Sequence, residues 1–452
     1  MRGASLLALG LSVGTACGSW QRVGSEDQPA AGAVVPRLFS AGSIYRSMGL
    51  LVAGAPLPFI ASVRYLDGGS PDSVLAVVGI SLANQALRFQ REGAEFVAQY
   101  RVELAFRPDS GTPAQVMRQE FVRVRTFAET NRADESVIFQ HMLRLAPGRY
   151  TVSVTVRDGT SPALNRAEAV DTAPRFARPA LGEPIPVYEG DGRIATAALP
   201  RLVTSPRATL PYGGDSLRIY FEAYGVPTAT PLVLRVLDGA GTELQTDTAA
   251  LERADSGDVA RVTYVLAPAG LPVGRLDLEA TLAGVAPARL PFLISFSGQY
   301  VITNYEEMVS LLRYFDRPEA VAKLRDAAPQ DRSRLWDEFW RATDPVPVTP
   351  ENEALEDYFR RVQQANLRFP EEGTPGWLTD RGEVFITLGE PDEVIDQSSG
   401  LDRSGLRVVR WGYTELRLVL FFEDETGFGR FRMTPSSRSE YQQVLARVRR
   451  AQ

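Results

Sequence analysis

Residues 95–107 read Glu-Phe-Val-Ala-Gln-Tyr-Arg-Val-Glu-Leu-Ala-Phe-Arg. Phe96, Ala98, Tyr100, Val102, Leu104 and Phe106 share one parity, and Glu95, Gln99, Arg101, Glu103 and Arg107 take the other. Successive side chains of a strand point to opposite faces, so a period of two puts one row in a core and the other toward water. Tyr150, Val152, Val154 and Val156 repeat the pattern against Thr151, Ser153, Thr155 and Arg157. Asp67-Gly68-Gly69 and Asp158-Gly159 are turn signals between such runs. Val74 to Ile80 lacks alternation and reads as a buried strand.

Working outward, residues 36–176 are predicted to form an antiparallel β-sandwich. A second block, residues 186–297, repeats the alternation at Leu217, Ile219, Phe221 and Ala223 and at Leu276, Leu278, Ala280 and Leu282. Gly148-Arg149-Tyr150 and Gly274-Arg275-Leu276 each lead a strand after a proline-containing turn, as a late strand of an immunoglobulin-like sandwich often does. Two immunoglobulin-like sandwiches are therefore expected, joined by a Pro- and Ala-rich linker, Thr172 to Pro186. His141 shares parity with Val137, Phe139 and Leu143 and reads as a half-buried sheet residue; as a general base it would lack an identifiable partner.

The 452-residue length fits about three domains at ~150 residues each. With 44% apolar and 23% charged residues, disorder over most of the chain is not expected. Forty-nine basic against 55 acidic residues give a net charge of −6, which argues against a nucleic-acid partner. The chain holds one lysine (Lys323), one histidine (His141) and one cysteine (Cys17). That inventory excludes a single-chain HExxH or Cys-rich zinc site, and Lys323, in Val-Ala-Lys-Leu, is no P-loop lysine. Outside the apolar run at the amino terminus, no Gly-x-Ser-x-Gly elbow is present. No metal or cofactor is expected; carboxylate chemistry is left open.

Met1-Arg2, an apolar run to Val13 and Gly14-Thr15-Ala16-Cys17 have the layout of a secretory signal peptide, residues 1–17. The run is about half of the ~20 apolar residues that a spanning helix needs. Cys17, followed by Gly18-Ser19, resembles the acylated cysteine of bacterial lipoproteins, with Gly14 where that pattern usually carries Leu. The resemblance implies a membrane anchor at Cys17. Ordinary cleavage near Ala16 is the alternative. Residues 18–35 read as a flexible tether.

The period changes after Tyr300. Asn304 and Glu307 form a capping-box-like pair ahead of Met308, Leu311, Leu312 and Phe315. Short helices follow over Pro318–Ala328 and Gln330–Ala342, with Leu335, Trp336, Phe339 and Trp340 as packing residues. Thr349-Pro350-Glu351 starts a helix whose apolar stripe is Leu355, Tyr358, Phe359, Val362 and Leu367. Gly376-Trp377-Leu378-Thr379-Asp380-Arg381-Gly382 comes next, then an expected strand, Glu383–Leu388, stopped by Gly389-Glu390-Pro391-Asp392. Strands over Leu406–Tyr413, Leu416–Glu423 and Gly427–Met433 follow, the middle one buried on both faces. A last helix is capped by Ser437 with Glu440. The acidic loop 423–427 reads as a turn, with loose calcium binding as the lesser alternative.

Gly376-Trp377-Leu378-Thr379-Asp380, the following Arg-Gly and Gly389-Glu390-Pro391-Asp392 resemble the GWxTD-domain proteins, which are bacterial and largely extracytoplasmic. The resemblance covers about Tyr300 to Arg449. It implies an α+β domain within residues 300–452 and an envelope setting, with no assigned reaction. A strand ending in Leu-Gly-x-Pro is more faintly similar to small outer-membrane assembly lipoproteins. From the residues themselves, Gly376 is expected to supply a backbone angle, and Trp377 an apolar anchor whose indole N–H needs a partner. Thr379 and Asp380 would fix a turn, Arg381 would pair with Asp380 or Glu383, and Gly382 would launch the strand. That is a structural staple. The rival expectation makes Asp380 and Glu390 or Asp392 an acid–base pair.

The expected function is that of an exported, lipid-anchored cell-envelope protein, a non-enzymatic binding or scaffold module facing the periplasm or in the outer membrane. Its expected partner is another envelope protein. The alternatives are a carboxylate-dependent hydrolase of envelope glycan or peptide, and a structural part of an outer-membrane assembly or secretion complex.

Overall fold

The computed structural model describes residues 42–132, 137–296, 302, 304–347, 352–396 and 407–451. The expected leader, the tether, Cys17, Tyr300 and the Thr349-Pro350-Glu351 helix start lie outside them.

The first unit opens with α1 (Gly42–Ser47), β1 (Leu51–Ala53), β2 (Phe59–Ser70), β3 (Ser73–Leu82) and β4 (Gln90–Glu92). It continues with β5 (Glu95–Pro108), β6 (Ala114–Val124), α2 (Phe127–Thr130), β7 (Val137–Leu145), β8 (Gly148–Asp158) and β9 (Leu164–Ala173). One sheet runs β1-β2-β3-β7; the other runs β6-β5-β8-β9, with β4 on the start of β5. All pairings are antiparallel. The expected inward row, Ala98, Tyr100, Val102, Leu104 and Phe106, shares a core with Val152, Val154 and Val156 and with Val74, Ala76, Val78 and Ile80 of β3.

The other face of β3 explains the missing alternation. Leu75 and Val77 pack on Ile185, Val187, Leu202 and Tyr220 of the second unit. The sheet holding β3 is therefore covered on both sides, and a strand covered on both sides reads as a continuous apolar run.

The second unit contains β10 (Ala180–Leu181), β11 (Ile185–Gly192), β12 (Arg201–Thr204), β13 (Thr209–Pro211) and β14 (Leu217–Tyr224). Then come β15 (Thr230–Leu237), β16 (Glu243–Arg253), β17 (Val259–Leu266), β18 (Gly274–Thr281) and β19 (Ala288–Ser295). Their order is β12-β11-β14-β17-β16-β15-β18-β19-β13. Strand β16 crosses from one half to the other, meeting β17 only through Glu252 and Arg253. Ile219 and Phe221, Leu232 and Leu234, and Leu276 and Leu278 fill the core between the halves.

The expected linker is no free linker. Within Thr172–Pro186, β10 pairs with β14, the Glu183 N–H donates to the Tyr65 carbonyl, and the Tyr65 N–H donates to Glu183 Oε2. Proline and alanine permit extended chain at a sheet margin, so composition alone misjudged this segment.

A charged cluster closes the seam between the two units. Arg193 and Glu222 pair at 2.8 Å with side chains 1% and 0% exposed. The Arg193 guanidinium also donates to the carbonyls of Thr196, Ala198 and, across the seam, Asp67. Tyr220 and Tyr224 hydroxyls donate to Glu222 at 2.8 and 2.7 Å. A buried ion pair is tolerable when its remaining donors and acceptors are satisfied in this way.

The third unit begins with α3 (Tyr305–Leu311), α4 (Pro318–Arg325) and α5 (Arg332–Thr343). Asn304 caps α3 as expected, accepting from the Glu307 N–H at 2.9 Å. Trp336 is buried and meets Phe296 at 4.6 Å, which seats the helices on the second unit. Helix α6 (Glu353–Arg368) is capped by Asn352. Leu355, Tyr358, Phe359, Val362 and Ala365 are buried, but Leu367 is 72% exposed. Five residues beyond Val362 is about 140° around the helix, off the core face.

The remaining elements are α7 (Asp380–Leu388), β20 (Glu393–Asp396), β21 (Arg407–Tyr413), β22 (Leu418–Asp424), β23 (Arg432–Met433) and α8 (Pro435–Ala451). The four strands form one sheet in chain order. In β22 Leu418, Leu420, Phe422 and Asp424 are buried, whereas Val419 and Phe421 are half-buried, so the strand is not sealed on both faces. Thr434, not Ser437, accepts from the first turn of α8, and Ser437 Oγ instead accepts from the Phe421 N–H. The expected strand Glu383–Leu388 is the helix α7. Its β-branched run imitates a strand, but a capped start and helical burial of Val384, Phe385 and Ile386 decide the outcome.

Candidate functional site

The motif residues form a turn and a helix start pressed against α6. Gly376–Leu378 make a single 3-10 turn, and Thr379 then caps α7. A Cβ on Gly376 would lie 2.4 Å from the Ala365 carbonyl oxygen, and one on Gly382 would lie 2.0 Å from the Gly376 carbonyl oxygen. Both glycines are therefore required by close backbone contact. Gly376 does not adopt the left-handed angle expected of it, whereas Gly389 does, with φ 84° where α7 ends.

Trp377 is 5% exposed and meets Tyr314 edge-on at 6.4 Å. Its indole N–H is buried with no acceptor among the described residues, contrary to expectation. Thr379 Oγ1 donates to the Gly376 carbonyl at 2.8 Å and accepts from the Gly382 N–H at 3.1 Å. The hydroxyl thus ties both ends of the turn.

Asp380 reaches out of the turn to two later elements. Its Oδ2 accepts from the Met433 N–H at 2.7 Å, joining α7 to β23. Its Oδ1 pairs with Arg438 of α8 at 2.7 Å, and the same guanidinium lies 3.6 Å from Glu383. Acids at the first turn of a helix also suit its positive end.

Arg381 pairs with neither Asp380 nor Glu383. It lies over the Phe431 ring at 4.1 Å and 4.0 Å from Glu371. Burial holds its basicity below the ordinary arginine value, Glu371 opposing the shift and Arg407 reinforcing it. Glu371, buried, accepts from the Phe431 N–H and from Arg432. Sequence reasoning missed Glu371 and Arg438; no local pattern marks either one.

The expected acid pair does not converge. Asp380 opens α7 and Glu390 lies beyond its far end, so a nine-residue helix, about 13 Å long at 1.5 Å per residue, stands between them. Paired glycosidase carboxylates stand ~5–10 Å apart. Glu390 pairs with Arg368, Asp392 accepts from the Thr414 N–H at 2.6 Å, and Pro391 is buried between them. A hollow of 190 Å³ beside α7 is lined by Tyr314, Asp316, Asp357, Arg361, Thr387 and Arg449. That is below the ~300–1,000 Å³ of common small-molecule sites, and Asp357 already pairs with Arg361 at 2.6 Å. A second hollow, 490 Å³, is lined by Arg313, Arg325 and Arg332. There Arg332 bonds Glu306 and stacks on Tyr305.

In the acidic loop, Asp424 accepts from Thr426, Gly427 and Gly429. Burial pushes its carboxyl up, but these bonds outweigh it and hold it below the usual range. The bonds lock a turn. Among the described residues no cluster of three or more His, Cys, Asp and Glu is placed to hold a metal. His141 lies half-buried on β7 opposite Val78, its basicity lowered by burial and by Arg118.

Residues 291–404 match the family model of the GWxTD domain. The third unit carries a GWxTD domain. The match starts in β19 and stops before β21, so the Met433 and Arg438 that hold Asp380 lie beyond it. No curated protein matches the chain. Among solved structures, a biofilm-associated protein's BSP domain aligns at 8% identity and TM-score 0.17, over 58% of this chain and 54% of that one. Red sea bream transglutaminase aligns at 11% identity and TM-score 0.16, over 56% and 33%. The chain thus spans about half the length of the first and a third of the second; likenesses this weak carry no functional argument. Among the described residues, no helix is long and apolar enough to cross a membrane.

Proposed function

We propose that the chain is an exported, lipid-anchored cell-envelope protein acting as a non-enzymatic scaffold or binding module. One observation carries the reading: the motif's reactive groups are occupied within the chain. Thr379 bonds Gly376 and Gly382, Asp380 bonds Met433 and Arg438, and Arg381 lies against Phe431 and Glu371. The motif then serves to hold turn, helix, sheet and last helix as one GWxTD head, to which an envelope partner docks. The leader-like residues 1–17 and Cys17 support export and acylation.

The finer fold reading belongs to the same proposal: both β units are immunoglobulin-like sandwiches. In the first, β3 pairs with β7 on one sheet while β5, β8 and β9 adjoin on the other. Tyr150, at the start of β8, donates its hydroxyl to the Ala146 carbonyl at 2.8 Å. Such a bond is the tyrosine corner of that fold.

Mass spectrometry of the mature amino terminus tests the anchor. The expected first residue is an acylated Cys17; an intact Met1, or an unmodified residue downstream, overturns it.

A further inference from the structure

Strand β6 lies at the edge of its sheet. Among the described residues it pairs with β5 alone, over eleven residues from Ala114 to Val124. No proline interrupts it. A long, regular, unpaired edge is a template for another strand. On its outer face Met117 and Phe121 are 56% and 55% exposed.

The residues of this strand mirror one another about Gln119. Laid antiparallel against a copy of itself with Gln119 opposite Gln119, Arg118 faces Glu120 and Met117 faces Phe121. Val116 then faces Val122. Opposed residues in an antiparallel pair interact directly, and opposite charges and apolar pairs favour the pairing. Like charges opposite each other disfavour it. Sliding the register by two residues one way sets Arg118 on its own copy, and the other way sets Glu120 on its own copy. A shift by one residue would turn every side chain to the wrong face. The strand therefore selects one register.

Among the described residues, competing contacts are few. Arg118 bonds the carbonyl of adjacent Met117, a local contact that a facing carboxylate can replace. Arg123, at the end of the strand, is near Glu92 and Glu95 of its own sheet.

We infer that β6 is a self-recognition edge, through which two copies of this chain join antiparallel about a twofold axis at Gln119. The two five-stranded sheets then run on as one. Nothing in this inference depends on the motif's role or on the anchor.

Sedimentation of the full chain in mild detergent, with charge-swapped variants, tests it. The parent is expected to be a dimer. Arg118→Glu and Glu120→Arg, which set like charges opposite each other, should each weaken dimerisation at least about tenfold. Combining them restores opposite charges and should restore the dimer. A monomeric parent, or a double variant no better than the singles, overturns the proposal. Oxidative cross-linking fixes the register. A cysteine introduced by Gln119→Cys meets its own copy on the axis and should link. One introduced by Gln115→Cys faces Arg123 and should not. Equal linking at the two positions contradicts the geometry.

Discussion

Gly382 sets how closely the motif can be drawn together. A Cβ there would stand 2.0 Å from the Gly376 carbonyl oxygen, a distance no packed atom tolerates, and the obstacle is backbone rather than a yielding side-chain tip. Gly382→Ala must therefore part the turn from α7, with Trp377 and Thr379 moving with it. We expect a loss of about 2–3 kcal/mol, near the upper end of the usual cost of overpacking. Urea unfolding reads it as a lowered midpoint with an unchanged slope. Gly373, beside which a Cβ would meet nothing within 4 Å, is the matched control, although its φ of 73° favours glycine. Among the charged residues of the motif, the partners were the illegible part. Arg438 lies far along the chain from Asp380, and the buried acid nearest Arg381 comes from a loop that carries no signal of its own.

At the scale of elements, the strands were legible because alternation is written in the backbone itself: one face buried, one face wet. The run 95–107 announces β5 for that reason. Val74 to Ile80 was legible as buried, but what covers its second face, Ile185, Val187 and Tyr220, belongs to another unit. Helix α7 reads as a strand in the sequence because its Val-Phe-Ile-Thr run has strand-like propensity. Its helical state rests on the Thr379 cap and on the contact of Gly376 with α6. Leu367 shows the converse error, an apolar residue at near-helical spacing that the actual phase of α6 turns to solvent. Within the motif, glycine, tryptophan and threonine were recognisable as structural, yet the reason for Gly376 was proximity and not backbone angle.

At the scale of the whole molecule, the stacking of the two β units rests on a charged seam. Arg193 and Glu222 are both sealed from water, and Arg193 reaches across to the Asp67 carbonyl. Arg193→Met leaves the Glu222 carboxylate buried without its counter-ion, which should cost about 3–5 kcal/mol. Replacing both, Arg193→Met with Glu222→Leu, should recover most of that loss, because the uncompensated charge is gone. Calorimetry of the parent, the single and the double variants checks the sign of the recovery. A single variant as stable as the parent would mean that the seam does not depend on the pair. The Pro- and Ala-rich segment that reads as a linker is tied to the same seam, because the Gly182 N–H donates to the Glu222 carbonyl at 2.7 Å.

The claim that the GWxTD motif holds a head together, and performs no chemistry, is tested most directly by the unfolding free energy of Asp380→Asn. The substitution keeps size and an acceptor for the Met433 N–H but removes the charge that pairs with Arg438. The account predicts a loss of about 1–2 kcal/mol, the order expected for a charge-assisted bond to a partly exposed arginine. It also predicts that the loss largely disappears when Arg438 has already been changed to Met. An Asp380→Asn protein as stable as the parent, yet unable to turn over an envelope glycan or peptide that the parent cleaves, would contradict it.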